Sequence, residues 1–580
     1  MKKSALILIA TAALAVLLGA AASTAAAEIV YNDYTVPGVT FDWQVVVNNG
    51  VKPPGETIRT FNSYNQPSLN VDRLVVFRAR TKGGMGGGGM GQQPVHGVFT
   101  RDMSVAGAPV MRLFDRKTAV PQPNNLGSMF IEPPSFPRID MWSGTVASRG
   151  NHQPVWEYLL SVGSETKTRA GTTGIYTNPF GPLIAGTSNL GAVPDFPFFA
   201  VPGIAPAIKF DVFPGAPAVT DGATVVFKGN YTVDDLGKTG VYYRDLANAP
   251  ITLLGSLTQL VPPGGTGPVV RIADTNTIIP GTKTTKFGST APPSAAGRLA
   301  VFAGFDNEAS PTKGGIYLAP LTGTDPTLTT LVKIGGQVPG EKKGTVFNKL
   351  GEGLSYDGRF VAFWGAWAAA TRKLVLQCPD EGNKERLEYC VELYGEAGFT
   401  TTVPVNQGIF VYDTVSRSTA VGAKAPSRFS DFVYWNFSGR VPESSEGDTG
   451  EPARWRSATF LAVSGLVDGA LGDATFHVAF KARTGKVKDG AYVAPVDGIY
   501  LFKGPGKPAF TPVVETGMDG TLIDPAAVVD AVTKVPIPVA KMGIERDGFR
   551  GDAFAITVSM GSEEAGWAGI YLTTVQEELE

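Results

Sequence analysis

Gly297-Arg298-Leu299-Ala300-Val301-Phe302, followed by Gly315-Ile316-Tyr317, is the stretch of sequence that decides the fold. The tripeptide of glycine, a β-branched residue and an aromatic residue recurs along the chain at intervals of 66 to 93 residues. A glycine turn that leads into such residues is typical of the start of a β-strand, so its recurrence indicates a repeat architecture. The seven copies begin at Gly97, Gly174, Gly240, Gly315, Gly408, Gly498 and Gly569.

Each copy belongs to a unit of four short apolar segments, which we name A to D. Segment B precedes the tripeptide, as in Gly222 to Phe227, and the tripeptide itself begins segment C. Segment A starts with a phenylalanine and ends near a proline or serine, as in Phe287 to Pro293. Segment D is a β-branched run, such as 270–276, that closes at a turn such as Pro280-Gly281. Four short antiparallel strands per unit are the composition of a β-propeller blade.

The two ends of the chain predict how the ring of blades closes. Only eight residues follow Leu572, which are too few for a last D segment. Residues 41–47, followed by Pro53-Pro54-Gly55 and Phe61, have the pattern of D, turn and A. An N-terminal strand that pairs into the last blade leaves no open sheet edge at the seam. We therefore predict an all-β, seven-bladed β-propeller closed by this strand. Six or eight blades are the alternatives, because the second unit is degenerate and the sixth is long.

The N-terminus has the pattern of a secretory signal peptide over 1–27. Lys2 and Lys3 precede a long apolar run, and Ala25-Ala26-Ala27 precedes Glu28. An uncleaved membrane anchor is the alternative, since the run is near spanning length. The sequence thus predicts a bacterial-type periplasmic or secreted protein without membrane insertion after signal cleavage. Its single propeller domain would occupy 28–580.

Composition and charge exclude several classes of protein. The 580 residues include 71 glycines and 43 prolines dispersed among apolar runs, which fits many turns rather than disorder. We expect no helix beyond the N-terminus. The formal net charge of −2 becomes −4 when Lys2 and Lys3 leave with the signal peptide, so nothing global attracts nucleic acid or an anionic membrane. Sequence motifs of nucleotide-binding loops, zinc proteases and α/β-hydrolases are absent.

Cys378 and Cys390 are the only cysteines of the chain. Both lie in the longest connection between segments B and C, at about 364–407, and an exported chain meets oxidising conditions. We predict a disulfide that stabilises this insertion. A metal-binding or redox pair is the alternative, but no C-x-x-C motif and no third cysteine supports it.

The sequence contains few candidate metal ligands. Met85, Met90 and His96 carry soft and imidazole ligands that suit Cu(I), although a flexible glycine-rich loop is the simpler account of 83–90. Asp306 and Glu308 supply oxygen ligands of the kind that Ca²⁺ takes. No calcium-loop motif accompanies them, and solvated surface charge is the simpler account. We expect no cofactor, with Ca²⁺ the one that the pattern leaves open.

Tryptophans supply the candidate ligand-binding residues. The connections between B and C open on one face of a propeller, together with the turns between D and A. Exposed indole rings there would stack on sugar rings or anchor a protein partner. The alternative is that these rings cap the blade cores. No histidine has a recognisable catalytic setting, so we identify no catalytic residue. Four of the eight tryptophans fall in these connections, namely Trp156, Trp364, Trp367 and Trp567.

The third and fourth units resemble a class of uncharacterised bacterial exported proteins built from repeats of this type. The resemblance implies a β-propeller and export, and it carries over no activity and no site residues. The residues that carry it are Ile272-Ala273-Asp274-Thr275-Asn276-Thr277, Pro280-Gly281, Phe287, Pro293-Ser294, Gly297, Val301-Phe302 and Gly315-Ile316-Tyr317.

Two functional hypotheses follow. The first is a binding or scaffolding module that takes a glycan or a protein partner on the face of the B to C and D to A loops. The second is a polysaccharide-active hydrolase or lyase on the same scaffold. An enzyme requires convergent titratable groups with shifted pKa values in the central pocket, whereas a binder of this kind requires an aromatic rim.

Overall fold

Seven small antiparallel sheets form a ring in the computed structural model, so the predicted seven-bladed β-propeller is confirmed. The signal peptide and the residues Met85 and Met90 lie outside the described part of the chain. The structure describes residues 41–82, 94–123, 126–159, 166–247, 267–380, 383–439, 441, 452–465, 475–506, 509–562 and 566–575.

The first four blades follow one another along the chain, and we keep the letters A to D for their strands. Blade 1 consists of Phe61–Tyr64 with Ser68–Leu69, Leu74–Thr81, His96–Asp102 and Met111–Asp115. Blade 2 consists of Phe130–Glu132 with Arg138–Ile139, Val146–His152, Thr173–Thr177 and Ile184–Ser188. Blade 3 consists of Ala218–Thr220, Thr224–Val233, Leu236–Asp245 and Val270–Asp274, and blade 4 of Ser289–Thr290 with Ser294–Ala296, Leu299–Phe305, Gly314–Pro320 and Thr329–Lys333.

The last three blades carry the longer insertions. Blade 5 consists of Phe347–Tyr356, Phe360–Trp367, Gln407–Asp413 and Ser418–Ala425, and blade 6 of Leu461–Ser464, Phe476–Arg483, Asp497–Gly504 and Thr511–Glu515. Blade 7 consists of Val539–Gly543 with Phe549–Arg550, Ala553–Met560, Trp567–Thr574 and the N-terminal Gln44–Asn48. Outside the blades lie the hairpins Trp156–Leu159 with Lys167–Ala170, Thr371–Leu376 with Phe399–Pro404, Tyr434–Ser438 with Arg454–Ala458 and Lys486–Lys488 with Ala491–Val493, the α-helix Lys384–Tyr394, and the 3-10 helices Pro197–Phe199 and Gly520–Leu522.

The N-terminal strand closes the ring as predicted. Gln44–Asn48 pairs antiparallel with Trp567–Thr574, with Val45 opposite Tyr571. Val46 and Val47 are completely buried in the core between blades 7 and 1. The chain ends are therefore joined by main-chain hydrogen bonds and apolar burial, which removes the open edge that a linear array of blades would have.

The glycine of the repeated tripeptide is explained by the backbone of strand D. In blade 4 a Cβ on Gly315 would lie 2.0 Å from the carbonyl oxygen of Val332 in strand D. In blade 7 a Cβ on Gly569 would lie 2.7 Å from the carbonyl oxygen of Val47, which belongs to the N-terminal strand. No Cβ fits at such distances, so only glycine permits this close approach of two strands. The N-terminal strand thus reproduces the geometry of a D strand.

The aromatic residue of the tripeptide packs in the centre of its blade. In blade 3 the ring of Tyr242 lies edge-to-face on Phe210, with 4.9 Å between centroids. Edge-to-face pairs of this kind stabilise a core beyond simple area burial. The same pair, formed with the phenylalanine that precedes or begins strand A, occurs in five more blades as Phe61 with Phe99, Phe130 with Tyr176, Phe287 with Tyr317, Phe347 with Phe410, and Phe429 with Tyr500.

In every blade strand A either breaks or shifts register, and we call both an interruption. Prolines cause several of these interruptions, since proline cannot donate to the ladder and is tolerated only at edges and bulges. In blade 5 the strand is continuous but shifts register between Leu350 and Leu354. In blade 6 a short bridge at Asp431 precedes the whole hairpin Tyr434–Ser438 with Arg454–Ala458, which is therefore an insertion into the interruption. The interrupted segments are 65–67, 133–137, 213–217, 291–293, 351–353, 432–460 and 544–548.

The insertion in blade 5 differs in two ways from the expectation. Strand B continues to Trp367, so the connection to strand C spans 368–406. It contains the α-helix Lys384–Tyr394, which the sequence analysis did not predict. The predicted disulfide is present between Cys378 and Cys390, and Cys390 is completely buried in a small core of its own. Among the described residues no helix is long and apolar enough to cross a membrane.

Candidate functional site

A cavity of about 1170 Å³ lies on the axis of the ring, on the face where the B to C connections and the D to A turns meet. All seven interruptions of strand A contribute to its wall, from Asn65 in blade 1 to Glu545 in blade 7. A strand that leaves its ladder frees polar main-chain and side-chain groups to face the axis. The cavity therefore arises because strand A is interrupted in each blade. Its volume exceeds that of a typical small-molecule site.

Glu545 and Arg546 line the cavity and belong to a buried charged cluster, 545–550 of blade 7 together with Arg138 of blade 2, which we call the floor. Arg138 is completely buried, and its guanidinium donates to Glu545 Oε1 and Asp547 Oδ2, both at 2.5 Å. The segment also contacts four further blades. These hydrogen bonds are Leu69 N to Asp547 O, Arg546 Nη1 to Pro292 O, Ser355 Oγ to Arg546 O, Arg550 Nη2 to Tyr356 O, and Arg550 Nη1 to Val463 O.

The charges of the floor compensate one another at close range. Burial disfavours the ionised form of Asp547, but the guanidinium groups of Arg138 and Arg550 outweigh it and lower the pKa of Asp547 below its ordinary 3.8. Asp547 and Glu545 in turn raise the pKa of Arg138 against the same desolvation. With Arg546 included, three arginines face two carboxylates, so the floor carries a formal charge of +1.

Two inserted elements form the rim of the cavity. Asn383 precedes the α-helix Lys384–Tyr394 and caps it, because its side chain accepts a hydrogen bond from Arg386 N. Asn383, Glu385 and Arg386 at this end of the helix line the cavity. The hairpin Tyr434–Ser438 with Arg454–Ala458, which we call the rim hairpin, lines it on a neighbouring side. Both elements are insertions into blades 5 and 6.

The wall of the cavity carries balanced charge. Side chains that line it include five arginines and five carboxylates, interleaved with amides and hydroxyls of asparagine, serine and threonine. A wall of this composition offers both hydrogen-bond donors and hydrogen-bond acceptors to a ligand. The charged residues are Arg78, Arg149, Arg386, Arg456 and Arg546, and Glu132, Asp211, Glu352, Glu385 and Glu545.

Glu352 is a carboxylate of the cavity wall that lies in a bulge of its strand. It lies in the register shift of strand A of blade 5, between Gly351 and Gly353. A Cβ on Gly353 would lie 2.9 Å from the carbonyl oxygen of Thr459, so the bulge fits only because its flanks lack side chains. The side chain reaches water in the cavity, but the enclosing walls desolvate it and raise the pKa of Glu352 against the opposing effect of Lys228 and other nearby cations.

We expect Glu352→Gln to raise the unfolding temperature at neutral pH. A carboxyl group whose pKa is raised on folding stabilises the folded state at pH values below its ordinary pKa of 4.5. That contribution is lost as the pH rises through the raised pKa. Glutamine is neutral at every pH, so the variant avoids this loss. Thermal unfolding should show a more stable variant at neutral pH and no difference below pH 4.5. A less stable variant at neutral pH would mean that the protein stabilises the Glu352 charge.

His96 is buried and its ring contacts an arginine. Its Nε2 lies 2.9 Å from Arg78 Nε and accepts the guanidinium hydrogen. Burial and the nearby arginines lower the pKa of His96 to about 3, so the ring is neutral. Burial likewise lowers the pKa of Arg78 to about 10, against the influence of Glu132.

The two acidic candidates for Ca²⁺ are engaged by other groups of the chain. Asp306 accepts hydrogen bonds from the main-chain nitrogens of Thr312 and Lys313, and Glu308 forms an ion pair with Arg454 at 3.0 Å. Across the described ranges, no group of three histidine, cysteine, aspartate or glutamate side chains is arranged to hold a metal ion.

Trp364 and Trp367 are buried, with 6% and 5% of their surface exposed. Both lie in strand B of blade 5, which extends past the boundary expected from the sequence. Trp364 Nε1 donates to Gln407 Oε1 at 2.9 Å. Burial of this degree leaves no ring face for stacking on a ligand, which favours the alternative that these rings cap blade cores.

Trp156 and Trp567 are half-buried and lie apart from the cavity lining. Trp156 packs edge-to-face on Phe196, with 4.8 Å between ring centroids. Trp567 Nε1 donates to Asp524 Oδ2 at 2.8 Å and so helps to fasten the N-terminal strand. The structure thus does not bring the four tryptophans together, and a ligand-binding role for them stays a prediction.

The residues of the cavity were missed because none belongs to a known motif. One signal was present in the sequence: the run from Glu545 to Arg550 places four charges where strand A of other blades has proline and serine. Another was Gly351-Glu352-Gly353, a carboxylate between two glycines inside an apolar strand. Polar runs that interrupt a buried strand are expected at functional sites.

Comparisons with known proteins give a weak likeness. No protein-family model and no curated protein matches the chain. Among solved structures, the polysaccharide lyase Uly1 matches 56% of this chain at 12% identity with a TM-score of 0.26, and this chain spans only 58% of that one. The alpha-L-arabinofuranosidase Arb93A from Fusarium graminearum, in complex with an iminosugar inhibitor, matches 62% of this chain and 92% of its own at 8% identity with a TM-score of 0.24. Likeness at this level carries no information about activity.

Proposed function

We propose that this protein is an exported binding protein for a hydroxyl-rich, uncharged glycan, which occupies the axial cavity. The observation that carries the proposal is the wall of the cavity, with five arginines, five carboxylates and many amides and hydroxyls around about 1170 Å³. A sugar hydroxyl both donates and accepts, so it can pair with either type of group. A polyanion or polycation would instead require an excess of one charge.

Export is part of this proposal. The disulfide between Cys378 and Cys390 supports it, because disulfides persist in oxidising compartments. A protein partner that binds at the same face is the other ligand class, and it requires aromatic anchors. Among the cavity-lining residues that the structure describes, only Phe136 and Phe460 are aromatic, both are half-buried, and charged and polar side chains predominate.

The test is a glycan array probed with the purified protein, with and without Ca²⁺, followed by titration calorimetry of each hit. We expect neutral oligosaccharides to bind and added salt to change the affinity little, because the wall is balanced in charge. Binding confined to acidic glycans with strong salt dependence, or no binding at all, would contradict the proposal.

A hydrolase or lyase acting on a polysaccharide is the second candidate, and Glu352 favours it. A carboxyl group with a raised pKa inside a cavity is poised to act as a general acid. Reducing-sugar release and ultraviolet absorbance of an unsaturated product should be assayed on every array hit. If either product forms, Glu352→Gln should lower turnover by about 100-fold or more while binding stays within a few-fold. Without product, the binding function stands.

A further inference from the structure

A second pocket, of about 350 Å³, lies beside the axial cavity, and we call it the aromatic pocket. Three inserted elements line it: the strand Thr371–Leu376, the rim hairpin, and the hairpin Lys486–Lys488 with Ala491–Val493. Its volume equals that of on the order of ten water molecules, which is room for one sugar ring. Its aromatic and cationic lining comes from Trp435, Phe437, Trp455, Tyr492 and Arg483.

The rim hairpin lies between the axial cavity and the aromatic pocket, and its two faces differ in chemistry. Phe437 pairs with Trp455 across the hairpin, and Trp435 is two positions from Phe437, so these three rings share one face. The neighbours Asn436 and Arg456 pair with each other on the opposite face and line the axial cavity. Asn436 borders both spaces, so they meet over the hairpin.

The aromatic pocket has polar groups that lack partners. The indole N–H groups of Trp435 and Trp455 are buried and have no hydrogen-bond acceptor among the described residues. A buried donor without a partner destabilises a fold unless something else satisfies it. Arg483 is held by two hydrogen bonds to Asp497 and lies over the ring of Tyr492 at 4.4 Å, so the cation and the ring form a rigid wall.

Phe437 is buried in the core around the disulfide, so the half-buried rings that line the pocket are those of Trp435, Trp455 and Tyr492. Aromatic rings beside a guanidinium and an amide are the combination that recognises a pyranose ring, whose C–H face packs on an aromatic ring while its hydroxyls form hydrogen bonds. Extended apolar partners such as a helix require a longer groove than this pocket provides. A single ring attached to a ligand in the axial cavity fits both the size and the position.

We propose that the aromatic pocket is a subsite for one sugar ring of a glycan chain that continues from the axial cavity across the rim hairpin. This inference rests on the proposed function and adds that the ligand is an oligosaccharide chain rather than a single sugar. The aromatic pocket then supplies selectivity for chain length, and the axial cavity supplies binding of the first rings.

The experiment uses titration calorimetry with cello-, chito- and manno-oligosaccharides from disaccharide to hexasaccharide. Ala491→Trp fills the aromatic pocket from an exposed position, so it does not disturb a core. Trp455→Ala removes one ring face and is the second variant. Val415→Trp, at a site that is 70% exposed in the turn between strands C and D of blade 5, is the matched control on the opposite face.

We expect the affinity of the wild type to increase with chain length. Ala491→Trp and Trp455→Ala should each lower the affinity for the hexasaccharide by about tenfold and leave the disaccharide unchanged. Wild-type affinity of both variants for the hexasaccharide would overturn the subsite and leave the axial cavity as the glycan site. Equal loss for disaccharide and hexasaccharide would also overturn it, since the first rings would then sit in the aromatic pocket. No binding by the wild type would refute the proposed function and this inference together.

Discussion

Replacing Arg138 by methionine is expected to lower the free energy of unfolding by about 3 to 5 kcal/mol. The guanidinium is completely buried and pairs with Glu545 and Asp547 on the far side of blade 1. Methionine fills similar space but leaves the two buried carboxylates with less compensation. Equilibrium urea unfolding, followed by tryptophan fluorescence, measures the change.

A matched control separates this effect from the loss of any arginine. Arg169 forms an ion pair with Glu157, but its side chain is 65% exposed, so Arg169→Met should cost less than about 1 kcal/mol. The effect of Arg138→Met should also depend on pH. Because folding lowers the pKa of Asp547, its contribution to the free energy of unfolding is present at pH values above its ordinary pKa of 3.8. That contribution is lost as the pH falls through the lowered pKa. Variant and wild type should converge in acid, and equal stability at neutral pH would refute the role of the floor.

Asp524→Ala is expected to destabilise the closed ring by about 3 kcal/mol, because it leaves several donors unsatisfied. Asp524 is 2% exposed, and its Oδ2 accepts from Asn48 Nδ2, Trp567 Nε1 and Tyr571 Oη at 2.7, 2.8 and 3.0 Å. Asn48 belongs to the N-terminal strand, and the other two belong to the strand with which it pairs. The loss should therefore appear first at the seam of the ring.

Hydrogen exchange is the measurement that localises this effect. Amides of Gln44–Asn48 should exchange faster in Asp524→Ala, while those in the strands of blade 3 should keep their protection. Asp530→Ala is the matched control, because Asp530 lies in the same connection, is exposed and accepts only from local groups. A uniform increase in exchange over all blades would show that Asp524 supports the whole fold rather than the seam.

The fold was predictable because its repeated constraints are local. Gly315 and its counterparts are required where strand D approaches strand C, and the phenylalanine near the start of strand A is required by the ring pair in the blade core. Each constraint recurs in sequence, so its period reveals the blade. The N-terminal strand was recognisable for the same reason, since 41–47 carries the pattern of a D strand that the last unit lacks.

The site was not predictable because its residues depart from the repeat pattern and are distant in sequence, although the fold brings them together. Arg138 and Glu545 are 407 positions apart, and nothing in either local sequence indicates the other. Trp435 and Trp455 lie in an interruption of strand A rather than in a B to C connection. The helix Lys384–Tyr394 was missed although Asn383 is a good cap, because its packing depends on the small core around the disulfide.

The measurement that tests the central claim most directly is binding of an array-selected neutral glycan to Ala458→Trp. Ala458 is exposed on the rim hairpin and lines the axial cavity, so a tryptophan there occupies the space assigned to the ligand without entering a core. We predict that Ala458→Trp lowers the affinity by at least about tenfold, while Val415→Trp on the opposite face binds as the wild type does. Unchanged affinity in Ala458→Trp would contradict the assignment of the cavity as the glycan site.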